Sequence, residues 1–523
     1  MSFQGDERPR IYAVISRYGS NPFKIIEGTY HDLDFFLGRG NFRPLGRLFE
    51  TAGHSLVFEA GEATGLAPHV VLGAVRLVMV GLLALTASAV VAALARSAGV
   101  SLRHPVNVYY PLALGTVLVA SGSHGPDANR RWYNHVNLVH FPHTIIGAVV
   151  LILAVALLVA RDRDMQRRRL RRHEWATMAA LGGVSALFYD LVYLAPILAA
   201  VFIVARAVAM GMPLSEIRST AAVKRWTAAS AGFLVAFVPA RIEIIRRCAE
   251  QSCYNGTDPQ FSVETLGHIP RRLAAGTPLA GWSHNAELAR HFGLDLGMED
   301  LARNALTGLL LAAVLVMAVV AARSARPTGS RVEPHPGLDE APLSPAHTGA
   351  VRPRHLALAL AVLGASAALL AALLASLSNQ VHETDLRAVD AWRETVLTQV
   401  GWSLLIAAGV VSAVETVRGR GPRQAVAAGA AGLLAVLLAA SLLANWRLSQ
   451  ADRHDPLSSV TSQISNASVT IDWTEEGNRH RCALIDAYSG MIPEHLNMGG
   501  PAVRQHLDQL MLNRYSRPFC DTG

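Results

Sequence analysis

Charged residues are scarce in this sequence. Asp, Glu, Lys and Arg make up 16% of the 523 residues, whereas hydrophobic residues make up 51%. So few charges cannot cover the surface of an ordinary soluble protein, which excludes that class. Apolar runs of about 20 residues, enough to cross a hydrocarbon core about 30 Å thick, recur along the chain. The composition therefore predicts an all-α integral membrane protein.

The apolar runs predict about ten transmembrane helices. The least regular part is "SALFYDLVYLAP", where two short halves meet at Asp190. A hairpin near the outer surface and a re-entrant pair both fit this part. We place the spans near residues 71–95, 106–121, 144–160, 175–189, 192–209, 225–241, 304–322, 355–377, 399–416 and 424–445.

The distribution of arginine predicts the orientation. The segment "RDRDMQRRRLRRHE" at 161–174 is dense in arginine. Because cations are retained on the cytoplasmic side of a membrane, we expect this segment to lie inside. Counting the other spans from it leaves four outward regions, which are 1–70, 122–143, 242–303 and 446–523.

A proline-rich stretch divides the predicted membrane part in two. Residues 323–354 hold six prolines and few bulky apolar residues, so we expect a disordered cytoplasmic linker. About seven spans precede it in 71–322 and about three follow it in 355–445. No internal repeat is found, which disfavours a transporter built from two symmetric halves.

Residues 446–523 differ from the rest in being polar, and we expect them to form a small outward α+β segment. A strand is predicted in "SNASVTIDWTE" and an amphipathic helix in "AVRQHLDQLMLNRY". Trp473 and Tyr515 either stack on a sugar or fill the small core of this segment. The segment is too short to fold alone without a disulfide or the membrane part beside it.

Cysteine is as scarce as charge. All four cysteines fall in regions that the arginine distribution predicts to be outside, where an oxidising environment allows disulfides. We expect Cys248 to pair with Cys253 and Cys482 with Cys520. Other pairings stay open, as do four free or metal-binding thiols, although the spacings match no zinc motif.

The first outward region contains the most distinctive charged stretch, "HDLDFFLGRGNFRPLGRLFE" at 31–50. Its D-x-D spacing resembles the acidic motif in the first outward loop of GT-C class membrane glycosyltransferases. The "RPL" that follows is similar to a feature of membrane O-mannosyltransferases of that class. The resemblance covers about 20 residues plus the layout of many helices, a linker and an outward C-terminal portion.

The resemblance implies a chemistry that suits these residue types. A glycosyltransferase of this class takes its sugar from a polyprenyl phosphate, so cations rather than an acid stabilise the leaving group. Asp34 or Asp32 would be the catalytic base, and the other would orient the acceptor or hold a divalent cation, Mg²⁺ or Mn²⁺. Arg39 and Arg43 would bind the donor phosphate. The acceptor would be an envelope glycan or protein.

An alternative reading of the same stretch is solvated surface, with snorkelling arginines and aspartates in a helix cap or an ion pair. The family also places a transmembrane helix before its acidic loop, and the first residues here contain no apolar run of that length. We therefore expect a first helix to be missing from this sequence. The composition, rich in Ala and Arg, is typical of a bacterial, actinobacterial-like protein.

Two further outward regions contain candidate binding residues. In "SGSHGPDANRRWYNHVNLVHFPHT" we predict that Arg130, Arg131 and Trp132 contribute to a donor or acceptor pocket. The histidines of this loop lack the spacing of a zincin and are read as interfacial rather than metal-binding. In 242–303, amphipathic helices lying on the outer leaflet would account for Arg271, Arg272 and Trp282.

Three function classes compete. The first is a glycosyltransferase at the outer face of a bacterial plasma membrane, and the second a non-catalytic envelope protein that binds a partner through its outward segments. A transporter or flippase is disfavoured because few ionisable residues, chiefly Arg76, Arg206 and Asp190, fall within the spans. The net charge of +8 does not indicate a nucleic-acid partner, since membrane topology explains the arginines.

Overall fold

A computed structural model describes residues 7–100, 104, 106–119, 142–250, 253, 259–283, 353–384, 392–492 and 500–521. These residues are mostly helical. Among them, β structure is limited to one isolated bridge between Pro259 and Ser378. The helices are α1 Glu7–Tyr18, α2 Pro22–Gly38, α3 Pro44–Thr64, α4 Pro68–Ser97, α5 Val106–Val119, α6 Pro142–Val159, α7 Asp162–Gln166, α8 Arg172–Ala186, α9 Ala195–Met210, α10 Leu214–Ile217, α11 Ala221–Glu250, α12 Val263–Ala275, α13 Pro353–Ser376, α14 Asn379–Thr384, α15 Thr395–Thr416, α16 Arg420–His454, α17 Pro456–Ala467, α18 Glu475–Met491 and α19 Gly500–Tyr515.

The described residues contain six helices long and apolar enough to cross a membrane, so the chain is a multi-pass membrane protein. Two shorter apolar helices, Val106–Val119 and His143–Val159, accompany them. The number is smaller than the ten spans predicted. The stretch predicted at 175–189 lies in α8, which has only 15 residues and begins with polar side chains. The predicted span 304–322 lies outside the described residues, as does nearly all of the linker 323–354. The six spanning segments are Pro68–Ser97, Asp190–Met210, Ala221–Ala249, Arg354–Ser376, Thr395–Thr416 and Gly421–Trp446.

Small residues allow the membrane helices to pack closely. A Cβ atom added to Gly182 of α8 would collide with the carbonyl of Ala229 in α11. Glycine at such positions brings two helix backbones together, which is typical of membrane helix interfaces. This pairing explains why α8, although short, is held firmly against a spanning helix.

The helices on either side of the proline-rich segment contact each other directly. Arg272 of α12 is fully buried and lies 2.7 Å from the carboxylate of Glu394, which precedes α15. Trp402 of α15 donates a hydrogen bond to the carbonyl of Leu273. Helix α12 is amphipathic, as predicted for 242–303, with Val263 exposed on its other face. Arg272, however, binds a protein carboxylate instead of lying on a membrane surface.

Both ends of the chain pack together at one end of the bundle. Helix α1 contacts α19, and Asn513 donates a hydrogen bond of 2.9 Å to the carbonyl of Ser16. These helices share a buried core with α3, α17 and α18 that is separate from the core of the membrane helices. We call this unit the cap. Its largest buried side chains include Tyr12, Phe58, Tyr488 and Phe519.

The strand predicted in "SNASVTIDWTE" is wrong. The first residues of this stretch end helix α17, and the rest is an irregular turn that leads into α18. Asp472 accepts a hydrogen bond from the backbone N–H of Thr474, and Thr474 accepts one from Gly477 at the start of α18. These local capping hydrogen bonds at the start of α18 outweigh the strand preference of the β-branched residues. The predicted helix in "AVRQHLDQLMLNRY" is confirmed as α19.

The arginine-rich segment folds against the opposite end of the bundle. Asp164 is completely buried and accepts a hydrogen bond of 2.8 Å from Arg225 of α11. Arg206 of α9 donates to the carboxylate of Asp162, which also pairs with Arg96 of α4 at 3.0 Å. Four helices are thus held together by ion pairs at this end.

Candidate functional site

The charged stretch at 31–50 forms two helices rather than a loop. Asn21 caps α2 by accepting a hydrogen bond of 2.9 Å from the backbone N–H of Phe23. Gly40 ends the helix with φ of 72°, a conformation that favours glycine. Pro44 then occupies the first turn of α3, where a missing N–H costs nothing. The two helices therefore meet in a short connection between Arg39 and Arg43.

Asp32 and Asp34 face different neighbours. Asp32 accepts a hydrogen bond of 2.8 Å from the hydroxyl of Tyr18 and pairs with Arg17 at 3.2 Å. Burial raises the pKa of Tyr18 to about 12, and the bond to Asp32 adds to this effect. Asp34 is 81% exposed and lies 2.7 Å from Arg247 of α11. Since residues two apart on a helix are separated by about 200°, the carboxylates point to opposite sides of α2.

The two predicted phosphate-binding arginines also differ. Arg39 is exposed and stacks over the ring of Phe35 at 4.4 Å from its centroid. No carboxylate in the described parts of the chain lies within ion-pair distance of Arg39. Arg43 is buried, lies 3.1 Å from Asp190 and stacks over Tyr189 at 4.6 Å. Arg43 thus connects α3 to the short helical turn before α9.

Below this connection, α3 carries a buried polar stripe. Arg43, Arg47, Glu50 and His54 recur at spacings of four, three and four residues, so they share one face of the helix. The carboxylate of Glu50 lies 3.1 Å from Arg10 and 3.6 Å from Arg47. Burial pushes the pKa of Glu50 upward, but these two guanidinium groups outweigh it and hold the pKa below its usual value.

His54 is the least satisfied member of the stripe. It is 1% exposed, and both ring nitrogens lack a hydrogen-bond partner among the described residues. Its ring meets the ring of His143 edge to face, with 6.0 Å between centroids. Burial lowers the pKa of His54 to about 3, so the imidazole is neutral at physiological pH. Gly53 makes room for the His143 ring against α3.

The aspartates do not form one cation site in this geometry. Their carboxylates point apart, and Tyr18, Arg17 and Arg247 already occupy oxygens that a shared Mg²⁺ or Mn²⁺ would need. No group of three or more His, Cys, Asp or Glu side chains with metal-binding geometry occurs in the described ranges.

The remaining predicted residues divide into two groups. Arg130, Arg131 and Trp132 lie outside the described residues. Both predicted disulfides are confirmed: Cys248–Cys253 has a Cα–Cα distance of 5.4 Å and Cys482–Cys520 one of 4.9 Å. The first lies beside the end of α2, with the sulfur of Cys253 3.7 Å from the carbonyl of Gly38. The second joins α18 to the end of the chain, within the cap.

Sequence reasoning missed Glu50, Arg10, His54 and the contact with His143. A signal was available for two of them, because an R-x₃-R-x₂-E-x₃-H pattern marks a polar face of a helix. Nothing in the sequence connects His54 to His143, which is far along the chain and follows a stretch outside the described residues. Trp473 and Tyr515 pack edge to face, 5.5 Å between centroids, at the margin of the cap core.

No protein-family model, curated protein or solved structure matches this chain.

Proposed function

We propose that this chain is a membrane glycosyltransferase that moves a sugar from a polyprenyl-phosphate donor to an envelope acceptor. The protein would lie in a bacterial plasma membrane, with the cap and both disulfides outside. The observation that carries the proposal is the exposed carboxylate of Asp34 beside Arg247, on a helix that ends at the exposed Arg39. A base and a cation on the same helix end match the needs of this reaction.

In the proposed reaction, the acceptor hydroxyl attacks the anomeric carbon of the donor sugar. Asp34 takes the hydroxyl proton while the bond from the anomeric carbon to the phosphate oxygen breaks. The polyprenyl phosphate leaves with both electrons of that bond, and a cation stabilises the charge on its oxygens. Arg39 suits this role because its guanidinium is exposed, whereas Arg43 is buried against Asp190.

Asp34→Asn tests the proposal. The full-length protein in proteoliposomes would receive polyprenyl phosphates carrying a radiolabelled sugar, with an envelope fraction as acceptor. We expect the rate of sugar transfer to fall by about 10²–10⁴-fold, because the asparagine cannot take a proton. Arg39→Ala should weaken donor binding and slow transfer together, since a phosphate contact acts on ground and transition states.

Glu27→Gln is the matched control. Glu27 is an exposed carboxylate of the same helix and lies 3.7 Å from His31. We expect this variant, and Asp32→Asn, to transfer sugar at the normal rate. Normal transfer by Asp34→Asn with loss in Asp32→Asn would assign the base to Asp32. Normal transfer by both, or no transfer by the wild-type protein, would contradict the proposal.

A second candidate is a non-catalytic envelope protein that binds a partner through the cap. The cap supports it, because this unit joins both ends of the chain, has its own buried core and contains one disulfide. In that case neither aspartate variant changes function, whereas substitutions on exposed residues of α18 or α19 abolish partner binding. The transfer experiment therefore separates the two candidates.

A further inference from the structure

Helix α2 has an exposed apolar stripe along its whole length. Phe23 is 77% exposed, Ile26 53% and Tyr30 71%, although each is a large hydrophobic side chain. Leu33 and Leu37 continue the series at intermediate exposure. The spacing of three and four residues places all five side chains on one face of the helix. Such a contiguous apolar face in contact with water would be unfavourable.

The protein itself covers a different face of α2. Ile25, Gly28 and Thr29 are buried, and the ring of Tyr18 lies so close to Gly28 that a Cβ atom there would collide with it. Tyr18 also donates its hydroxyl hydrogen bond to Asp32 on this side. The helix is therefore held in one rotation, and its apolar stripe is fixed in the outward direction.

The stripe lies beside a surface that already faces lipid. The pair formed by Asp34 and Arg247, 2.7 Å apart, shows that α2 lies next to the last turn of the spanning helix α11. Just before that turn, α11 exposes the large apolar side chains of Val238, Ile242 and Ile245. Since a spanning helix exposes such residues to acyl chains, the α2 stripe is adjacent to the boundary of the hydrocarbon core.

A charged band borders one edge of the stripe and ends at Asp34, which pairs with Arg247 of α11. Lys24, Glu27, His31 and Asp34 are exposed and follow one another along the helix. A helix with an apolar face and a charged margin is suited to lie in the plane of a membrane interface. No membrane-spanning role is possible for α2, because its 17 residues include charges at both halves.

We propose that α2 lies in the plane of the membrane, with Phe23, Ile26, Tyr30, Leu33 and Leu37 inserted among the phospholipid head groups and upper acyl chains. This placement does not depend on the proposed glycosyltransferase activity, because only the surfaces of α2 and α11 indicate it. Lipid is the expected occupant because the stripe continues the exposed apolar surface of the spanning helix α11.

Spin labels on single cysteines test this proposal. All four native cysteines are in disulfides, so an introduced cysteine is the only reactive thiol. Full-length protein in phosphatidylcholine and phosphatidylglycerol nanodiscs would carry a nitroxide at Ile26→Cys or Tyr30→Cys. The controls are Glu27→Cys and His31→Cys, the next residues on the charged band. Collisions of the label with oxygen, which concentrates in lipid, are compared with collisions with a water-soluble nickel chelate.

We expect the labels at 26 and 30 to collide mainly with oxygen, at a depth of about 5–10 Å, and the control labels to collide mainly with the nickel chelate. Nickel-accessible labels at 26 and 30 would show a stripe in water and overturn the proposal. Labels immobilised and shielded from both reagents would show that protein, either another part of this chain or a second copy, covers the stripe, and this would overturn it too. Each variant replaces an exposed side chain, so we expect the fold to be preserved.

Discussion

The two ends of the membrane bundle are both rich in charge but use it differently. At the arginine-rich end, the buried Asp164 lies 2.8 Å from Arg225, 3.6 Å from Arg167 and 3.8 Å from Arg163. At the end with the cap, Glu50 has two arginines, but the neighbouring His54 has no hydrogen-bond partner in the described structure. The charged groups described at the first end form structural ion pairs. The second end contains the buried imidazole of His54 and the exposed pair of Asp34 and Arg247.

Arginines of 161–172 form structural ion pairs. Sequence reasoning used them only as a signal of the cytoplasmic side. The structure adds that several of them, with Arg206 and Arg225, pair with Asp162, Asp164 and Glu174. Groups in such a cluster have shifted pKa values even where there is no functional site. For example, the hydrogen bond from the backbone N–H of Arg171 holds the pKa of Glu174 below its usual value.

Asp164→Leu is expected to have the largest effect on stability. It leaves Arg225 buried without its nearest counter-charge, and breaking a buried pair on one side costs about 3–5 kcal/mol. Thermal unfolding in detergent would measure the loss. Arg169→Leu, at an exposed position of the same segment, should change stability by less than about 0.5 kcal/mol. Equal effects of both variants would mean that Asp164 is not structurally important.

The two disulfides at the other end should differ in their contributions. Cys482–Cys520 closes a loop of 38 residues, whereas Cys248–Cys253 closes one of 5. Loop-closure entropy predicts that replacing the first pair with alanine costs about 4 kcal/mol and the second about 2 kcal/mol. Proteolysis of the cap, compared in the two double variants, would measure the difference. Equal protease resistance of the cap in the variant without Cys482 and Cys520 and in the variant without Cys248 and Cys253 would contradict this ranking.

Acid should destabilise the end that contains His54. Its folded-state pKa of about 3 lies below the unfolded value of 6.5, so the unfolded chain binds more protons between these pH values. Stability is therefore complete above pH 6.5 and falls as the pH decreases toward 3, by about 3 kcal/mol at pH 4. In His54→Leu this loss should become smaller but not vanish, because burial also lowers the pKa of the neighbouring His143, whereas His31→Leu, on the exposed face of α2, should retain the full loss. If both variants lose the same stability as the pH decreases, a group other than His54 causes the loss.

A small stability effect is expected for Asp34→Asn. The pair with Arg247 is exposed, and such pairs contribute about 0–1 kcal/mol. Unfolding of the variant in detergent should therefore match the wild-type protein closely. This result is needed to interpret a loss of sugar transfer as a loss of chemistry. A large destabilisation would mean that Asp34 holds α2 against α11.

Hydropathy and cysteine placement predicted much of this fold. The spans near 71–95, 192–209, 355–377 and 399–416 correspond to helices because long apolar runs leave few alternatives in a membrane. Local polar patterns were harder to interpret. The β-branched "SVTIDW" matched a strand, but cap hydrogen bonds near Thr474 and a missing partner strand among the described residues decided otherwise.

The candidate site was predicted only in part. The sequence identified Asp34 and Arg39, which are exposed, but could not distinguish them from Asp32 and Arg43, which bind Tyr18 and Asp190. Those partners lie on other helices, and tertiary contacts leave no trace in residue type or spacing. To predict the polar stripe of α3 that contains Glu50, one must know that 44–64 is helical. This region was instead predicted to be an outward loop.

The most direct test of the account is whether the two ends face opposite sides of the membrane. Single-cysteine variants Lys24→Cys in α2, Glu475→Cys in the cap and Arg169→Cys in the arginine-rich segment would be treated in intact cells with a membrane-impermeant maleimide. We expect labelling of Lys24→Cys and Glu475→Cys in intact cells and of Arg169→Cys only after permeabilisation. Labelling of Arg169→Cys in intact cells, with protection of the other two, would reverse the orientation and contradict an outward-facing transferase site.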